Sequence, residues 1–552
     1  MARTLNETIQ TATQDALALV DPANPPRPLD LEADILFAQS QVISLENMAR
    51  SKDERQPIPK RLAPFQIAQI LMHLYRIVRV VTGGYGTDPE FDLLAIYDPE
   101  QGVYVTDDIA FRRHIRDYDR QITRQGIEEV MLALKDYAPR VARTMDPDLI
   151  AVNNGVFDFR TKELLPFSPD YVFLTKSRVD YDPDAVNVTI HNDEDGLDWD
   201  VESWIESLSD DVEVVELIWQ ILGAIIRPFV RWNRSAWFYS NTGNNGKGTL
   251  CSLMRNLVGE GNFASIPLDA FSKDFALEPL IRTQAIIVDE NDVGAFIDKA
   301  ANLKAIITQD VVPINRKFKT PISFQFFGFM VQCLNDFPRI KDKSDSFYRR
   351  QLFIPFTKCF TGRERAYIKD DYLKRDEVLR YVLYRVLHMD FYQLSEPACC
   401  LQALNEYKDF NDPVRQFVDD VLGDLAWDMV PFSFLYDLYK AWFRKNIPNG
   451  SLQGRNTFVT DLLNILTPDT GWVCPGRTVS IRPGNRMDKP EPMIVQYALD
   501  DWKNPNYTGS NADLICRPAV KVNYTGIVRA SVADGGWGGI VDDGPQEGGD
   551  PT

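Results

Sequence analysis

The chain has 552 residues, 44% of them hydrophobic and 25% charged, which excludes a wholly disordered or fibrous protein. At roughly 100 to 200 residues per domain it has room for three or four domains. A formal charge of -19 excludes a uniformly basic, nucleic-acid-coating surface.

No run approaches the roughly 18 consecutive apolar residues of a membrane span, and the start, MARTLNETIQTATQDALALV, lacks the basic-then-apolar pattern of a secretory leader. Seven cysteines without a CxxC pair, beside four histidines, do not make a zinc site. These features predict a soluble cytoplasmic protein with reduced thiols and no membrane partner.

Residues 1–30 are polar and end in the proline-rich stretch Asp21–Pro28, which predicts a flexible lead. Residues 31–94 carry apolar positions at helical spacing, as at Ile67, Ile70, Leu71 and Leu74, and predict a small helical unit. Over 95–205, short apolar runs broken by Asp-Pro, Ser-Pro and Asn-Gly predict a mixed α/β region. Within it, His191–Glu202 nearly spells a calcium loop. Asp193, Asp195, Gly196 and Glu202 fall at its third, fifth, sixth and twelfth positions. His191 is a poor first ligand and Asp198 stands where an apolar residue belongs, so a solvated loop at a domain boundary is expected instead.

Residues 206–390 show the densest alternation of apolar strands and amphipathic helices, which predicts an α/β domain with a largely parallel sheet. Over 391–475, Phe434, Leu435, Leu438 and Trp442, then Phe458, Leu462 and Leu463, predict two amphipathic helices in a winged-helix-like module or a plain helical lid. Residues 476–552 read as a C-terminal extension whose acidic, Gly-rich end from Ala533 is expected to be disordered.

Chemistry concentrates in the α/β domain. Ser235–Tyr239 predicts a buried strand, Ser240–Thr249 (SNTGNNGKGT) a Gly-rich turn, and Leu250, Leu253, Met254, Leu257 and Val258 a helix ending at Gly259. This is a P-loop context, with Gly243, Asn244, Asn245, Gly246, Lys247, Gly248 and Thr249 as nucleotide-binding residues. Backbone N–H groups cradle phosphates and Lys247 reaches the β/γ oxygens of ATP. Two positions depart from GxxxxGK[ST]: Asn241 holds the first glycine position and Gly248 the hydroxyl position that ordinarily ligates Mg²⁺. Thr249 or waters with Asp289 are the substitutes. The acids end another apolar strand, Ala285-Ile-Ile-Val-Asp-Glu-Asn291, where Asp289 is expected to hold Mg²⁺ and Glu290 to polarise the attacking water.

Further on, Pro313 and the alternation around Ile314 predict a hairpin with Arg316, Lys317 and Lys319 near its tip. Between Leu303 and Arg350, nine Lys or Arg face four Asp, so this segment is basic within an acidic chain. Phe327–Leu334 predicts a strand ending at Asn335, suited to sensing a γ-phosphate or orienting water. Arg349 and Arg350 precede the apolar strand Leu352–Phe356.

This order of motifs resembles superfamily 3 helicases, in particular the phage and plasmid primase/helicase ATPases. The resemblance covers about 95–470, flanks included through Val152–Asp158, Asp412–Phe417 and Leu435–Trp442. It implies an AAA+-like motor core over 206–390 that assembles as a ring, a hexamer by the family's pattern, around DNA. It further implies that Asn335 is sensor 1, that Arg349 or Arg350 is a finger on the neighbouring subunit's ATP, and that Arg316, Lys317 and Lys319 line a central channel. A 3′ to 5′ polarity comes with the resemblance alone.

Paired carboxylates such as Asp146 and Asp148 or Asp182 and Asp184 sit around prolines in loops, so a primase active site is not expected. The expected function is an ATP-dependent, ring-forming DNA helicase of phage or mobile-element replication, acting on single-stranded and forked DNA, with a replication initiator or separate primase as further partners. An origin-binding and melting initiator without processive unwinding is the alternative. A small-substrate P-loop phosphotransferase, which the GKGT ending also permits, would leave the basic hairpin without a use.

Overall fold

A computed structural model describes residues 4–83, 88–292, 296–297, 299–317, 319–447, 452–466 and 470–533. The chain divides into two compact units, one up to Leu404 and one from Asn405 onward.

The first unit opens with α1 (Leu5–Leu17), α2 (Pro28–Met48) and α3 (Pro64–Leu74). Helix α1 lies where a flexible lead is expected. A capping box starts it: the Thr4 hydroxyl accepts from the Glu7 N–H, and the Glu7 carboxylate accepts from the Thr4 N–H at 2.8 Å. Its apolar face, Ile9, Ala12 and Leu17, is buried, and the Gln66 amide ties it down by donating to Thr13 (2.8 Å) and Gln39 (2.9 Å). The proline-rich segment therefore separates two helices, and Pro28 begins the second, where its missing N–H costs nothing.

Next come β1 (Ile77–Val80), β2 (Leu93–Asp98), β3 (Val103–Val105), α4 (Asp108–Tyr118), α5 (Arg124–Tyr137) and β4 (Arg140–Val141). The strands form a sheet in the order β3-β2-β1-β4, and Ile67, Leu71, Ile115 and Val130 share one core with its Ile77 and Ile96. An antiparallel meander follows, β5 (Leu149–Val152), β6 (Gly155–Asp158) and β7 (Glu163–Leu165). Then β8 (Ile190–Asn192) and β9 (Leu197–Trp199) make a hairpin whose residues Asp193 to Asp198 are exposed, as expected of a solvated loop. His191 pairs with Asp198 across it at 2.7 Å, Ile190 and Trp199 are buried, and Glu202 is ion-paired with Arg385. Asp198 and Glu202 are thus engaged in folding contacts, and the hairpin lies inside the first unit.

Helices α6 (Val201–Glu206) and α7 (Val212–Ile226) lead into the α/β layer. Nearly every residue of α7 from Leu217 is buried, as in a helix enclosed on several sides. The layer comprises β10 (Ser235–Tyr239), α8 (Lys247–Val258), β11 (Phe263–Ala264), β12 (Ala285–Val288), β13 (Phe296–Ile297), α9 (Ala301–Ile307), β14 (Val311–Arg316), β15 (Lys319–Gln325), β16 (Phe329–Leu334), β17 (Arg339–Ile340), α10 (Asp345–Tyr348) and β18 (Gln351–Pro355). Helices α11 (Ala366–Asp370) and α12 (Asp376–Leu387) follow.

Five strands form one sheet in the order β11-β12-β16-β10-β18, with every neighbouring pair parallel. Each residue of β12 and β16 is buried, as in parallel strands covered on both faces. Because all five strands run the same way, the loops after Tyr239, Val288, Leu334 and Pro355 leave from one edge. Strands β14 and β15 form a separate antiparallel hairpin.

Helix α13 (Ala398–Asn411) carries the chain across the division. The second unit contains α14 (Pro413–Val421), β19 (Met429–Pro431), α15 (Phe432–Asn446), α16 (Arg455–Ile465), β20 (Trp472–Val473) and β21 (Gly526–Arg529). Its antiparallel sheet has the order β19-β21-β20. The last strand, β21, is inserted between the other two, and two short helices, Met493–Gln496 and Ala512–Ile515, precede it. The segment expected to be a mere extension after 475 supplies the central strand, and its fully buried Glu491 accepts from the N–H groups of Ala426 (2.9 Å) and Trp427 (3.2 Å). The acidic tail beyond Ala533 lies outside the described residues.

Candidate functional site

The shared carboxyl edge of the parallel sheet is where ligands bind in open α/β layers. After β10 the chain passes through the Gly-rich loop, and Gly246, at φ +84°, caps α8. A side chain is disfavoured there by that φ, and a Cβ would also meet Leu208 at 2.6 Å. Lys247, the first residue of α8, is 5% exposed, and its ammonium has no hydrogen-bond partner among the described residues. Burial lowers its pKa, with the Cys333 and Cys251 thiols opposing weakly. A buried ammonium at the start of a helix, beside loop N–H groups, is suited to a polyphosphate anion.

The other loop residues divide by role. Asn245 is buried and its amide donates to the Thr242 carbonyl, which fixes the turn. Asn244 is bonded to the segment that follows β18: its amide donates to Glu364 (3.0 Å) and Thr361 (3.3 Å), and its carbonyl accepts from the Phe360 N–H (2.7 Å). Thr249 is half-buried on the first turn of α8, and a Cβ at Gly243 or Gly248 would meet nothing within 4 Å.

At the end of β12, both Asp289 oxygens accept from Arg255 of α8, at 2.8 and 3.1 Å. That bond holds the Asp289 carboxyl below its ordinary range against the opposing effect of burial. Glu290 beside it is exposed. Asn291 pins the strand end: its carbonyl accepts from the Leu268 N–H (2.9 Å), and its amide donates to Gln332 and to the Cys333 carbonyl, each at 3.0 Å. Asn335 is exposed just past β16. Lys247, Asp289, Glu290 and Asn335 therefore follow three adjacent strands, spaced about 4.8 Å apart.

For Mg²⁺ the donor set is sparse. Among the described residues no group of three His, Cys, Asp or Glu could hold a metal, position 248 has no hydroxyl, and Asp289 is engaged by Arg255. Such a set fits an ion that arrives on a polyphosphate with most of its waters, leaving Asp289 and Thr249 as nearby oxygens.

Arg349 and Arg350 are placed differently. Ser235 pairs with Gln351, and its N–H donates to the Arg350 carbonyl at 2.8 Å. The arginines thus sit at the amino end of β10, whereas the Gly-rich loop leaves its carboxyl end. Five residues of strand at about 3.3 Å each separate the two, roughly 16 Å, beyond the reach of an arginine side chain. Arg350 is folded back, donating to the Ser346 hydroxyl (2.9 Å), and burial lowers its pKa; Arg349 is exposed.

The basic hairpin exists as expected, but two of its cations are engaged within the unit. Arg316 donates twice to the Thr320 carbonyl, at 2.9 and 2.7 Å, and Lys319 is paired with Asp108 of α4 at 2.8 Å. The Lys317 N–H donates to Glu278 at 3.3 Å. Residues that sequence reasoning misses are Arg255 and Asn291, together with the Phe360–Glu364 segment that braces the loop. The local signal for Arg255 is its position two turns along α8 from Lys247.

Three family models match separate segments: D5 N terminal like over 110–213, a family of unknown function (DUF5906) over 238–350, and Poxvirus D5 protein-like over 410–504. The two D5-like matches, on either side of the sheet's motifs, support a protein of the phage and viral primase-helicase-like kind. Among solved structures, the chain is similar to the A form apo structure of NrS-1 C terminal region-CTR, at 13% identity and a TM-score of 0.43, over 83% of this chain and 94% of that one. A second apo structure of the NrS-1 C terminal region (305-718) aligns at 14% identity and a TM-score of 0.41, over 80% and 91%. No curated protein matches the chain. Among the described residues, no helix is long and apolar enough to cross a membrane.

Proposed function

We propose that the chain is an ATP-hydrolysing motor of the superfamily 3 type that moves along and unwinds DNA as a ring. The observation that carries this reading is the convergence of buried Lys247, without a hydrogen-bond partner among the described residues, with Asp289, Glu290 and Asn335 at one edge of a five-stranded parallel sheet. Lys247 binds the β/γ-phosphates, Glu290 orients and deprotonates the attacking water, and Asn335 holds that water or the γ-phosphate. Mg²⁺, carried in on the nucleotide, would neutralise charge on the phosphate oxygens beside Asp289 and Thr249. Asn291 and Arg255 keep the acid strand in register with α8.

Arg349, exposed and about 16 Å from its own loop, is suited to act on ATP bound by a neighbouring copy, which makes a ring the working form. In such a ring the hairpins repeat Arg316, Lys317 and Lys319 around one channel and concentrate positive charge there, although the whole chain is acidic. Engaging a strand then requires Lys319 to exchange Asp108 for a phosphate.

A second reading, an initiator that melts its own site without processive unwinding, is favoured by the second unit, whose helices and three-stranded antiparallel sheet fit a winged-helix-like module. Unwinding of a forked substrate of arbitrary sequence tests the choice. A motor opens it in the presence of Mg-ATP; an initiator opens only DNA carrying its site.

A further inference from the structure

Helix α8 turns one face to the sheet. Lys247, Cys251 and Arg255 follow one another along it at four-residue spacing, and the Cys251 thiol touches that of Cys333 on β16 at 3.3 Å. Lys247 stands at the Gly-rich loop, and Arg255 is eight residues on, about 12 Å along the axis. Side chains on a helix lean toward its amino end, which brings the Arg255 guanidinium back toward the loop edge, where it meets Asp289 just past β12.

Both Asp289 oxygens are taken by this one guanidinium, at 2.8 and 3.1 Å, and the pair is partly buried. A two-pronged arginine–carboxylate pair of this kind is strong, and burial leaves it less screened than a surface pair. The residue after Lys247 is Gly248, so the chain offers no hydroxyl to a metal there, and the Lys247 ammonium makes no hydrogen bond among the described residues. Strands β10 and β12 flank β16, so the loop and the acid strand end about 10 Å apart. At an effective dielectric of about 20, two unit charges at that distance change an affinity roughly fifteenfold, and a polyphosphate carries several charges. An anion at Lys247 therefore lies near a carboxylate whose charge the chain itself has cancelled, a task that a bound divalent cation ordinarily performs.

We infer that Arg255 is a positioning residue that stands in for a divalent cation at Asp289. It neutralises the carboxylate when no metal is present, so that binding of a nucleoside triphosphate, as distinct from its turnover, needs little help from Mg²⁺. This role rests on the phosphate-binding reading of the Gly-rich loop.

Titration calorimetry on the full chain, with ATP in EDTA and with ATP in excess Mg²⁺, tests the assignment. Wild type should bind ATP in EDTA within about tenfold of its affinity with Mg²⁺. Arg255→Gln should weaken ATP roughly ten- to a hundredfold in EDTA and by less than about threefold with Mg²⁺, because the ion then cancels the charge of Asp289. Adding Asp289→Asn to that variant should return binding in EDTA to near the wild-type value. Asp289→Asn alone, which leaves α8 untouched, should bind ATP in EDTA at least as tightly as wild type. Equal loss of affinity in Arg255→Gln under both conditions, no loss in either, or no restoration by Asp289→Asn would overturn the assignment. Lys247→Ala separates the two readings: if it leaves ATP binding unchanged, the phosphate-binding reading fails and the assignment with it, whereas a weakened Lys247→Ala beside any of those results overturns the assignment alone.

Discussion

Replacing Lys247 with Met keeps the side chain's length and removes its charge, so stability and function should move in opposite directions. Lys247 is 5% exposed, and its ammonium is buried and makes no hydrogen bond among the described residues. A buried donor left unsatisfied costs about 1–3 kcal/mol, and more when it is charged, a cost the thioether avoids. Without nucleotide, Lys247→Met should therefore be more stable than wild type by about that amount. One kcal/mol is worth about 2–4 °C in a domain of 150–250 residues and less in a larger unit, so the melting temperature should rise by a few degrees. Mg-ATP at about 100 times the wild-type Kd adds about 2.7 kcal/mol to wild type by mass action and nothing to a variant that does not bind, so the gap should close or reverse. Thermal unfolding by circular dichroism with and without Mg-ATP, alongside phosphate release, reads both effects. A destabilised apo variant, or the same nucleotide-induced shift in both proteins, would refute the reasoning.

Arg349→Ala should reduce turnover by up to about 10³-fold while ATP still binds, whereas Arg350→Ala, whose side chain is tied to Ser346, should mainly lower stability. Mixing Arg349→Ala with Lys247→Ala subunits should restore part of the activity, and mixed rings without any restoration would place the arginine's action in cis or in structure. Gly248→Ser, which returns a hydroxyl to a position where a Cβ meets nothing within 4 Å, should fold normally and lower the Mg²⁺ concentration needed for half-maximal turnover; an unchanged Mg²⁺ requirement would mean that the ion lies away from α8. Substituting Arg316, Lys317 and Lys319 with Ala should spare basal turnover, remove its stimulation by single-stranded DNA, and reduce the salt slope of binding by about 0.7 for each phosphate no longer neutralised. Retained stimulation with an unchanged slope would move the DNA track elsewhere.

What is legible in the sequence is local. The strand, Gly-rich turn and helix around Lys247 can be read because every residue that builds them lies within about 25 positions, and the hairpin at 311–325 because Pro313 and its alternation stand side by side. Helix α1 is not legible because its apolar face is thin and part of its anchorage, the Gln66 amide, comes from far along the chain. Strand β21 completes its sheet by pairing with Met429–Pro431, about a hundred residues earlier, and with Trp472–Val473, so its segment reads as an extension. The run His191–Glu202 already fails as a calcium loop in the sequence, but the contacts of Glu202 with Arg385 and Tyr381, from a helix far downstream, are not encoded in its spacing. The site follows the same rule. Asp289 is visible at its strand end, but the Arg255 bond and the fold-back of Arg350 depend on distances that spacing does not encode.

The most direct test of the central claim is phosphate release from ATP by the full chain, with and without single-stranded DNA, in wild type and Glu290→Gln. The account expects Mg²⁺-dependent turnover that single-stranded DNA accelerates, and a Glu290→Gln protein that binds ATP without hydrolysing it, because the amide cannot accept the water's proton. Turnover indifferent to DNA, or undiminished in Glu290→Gln, would contradict it.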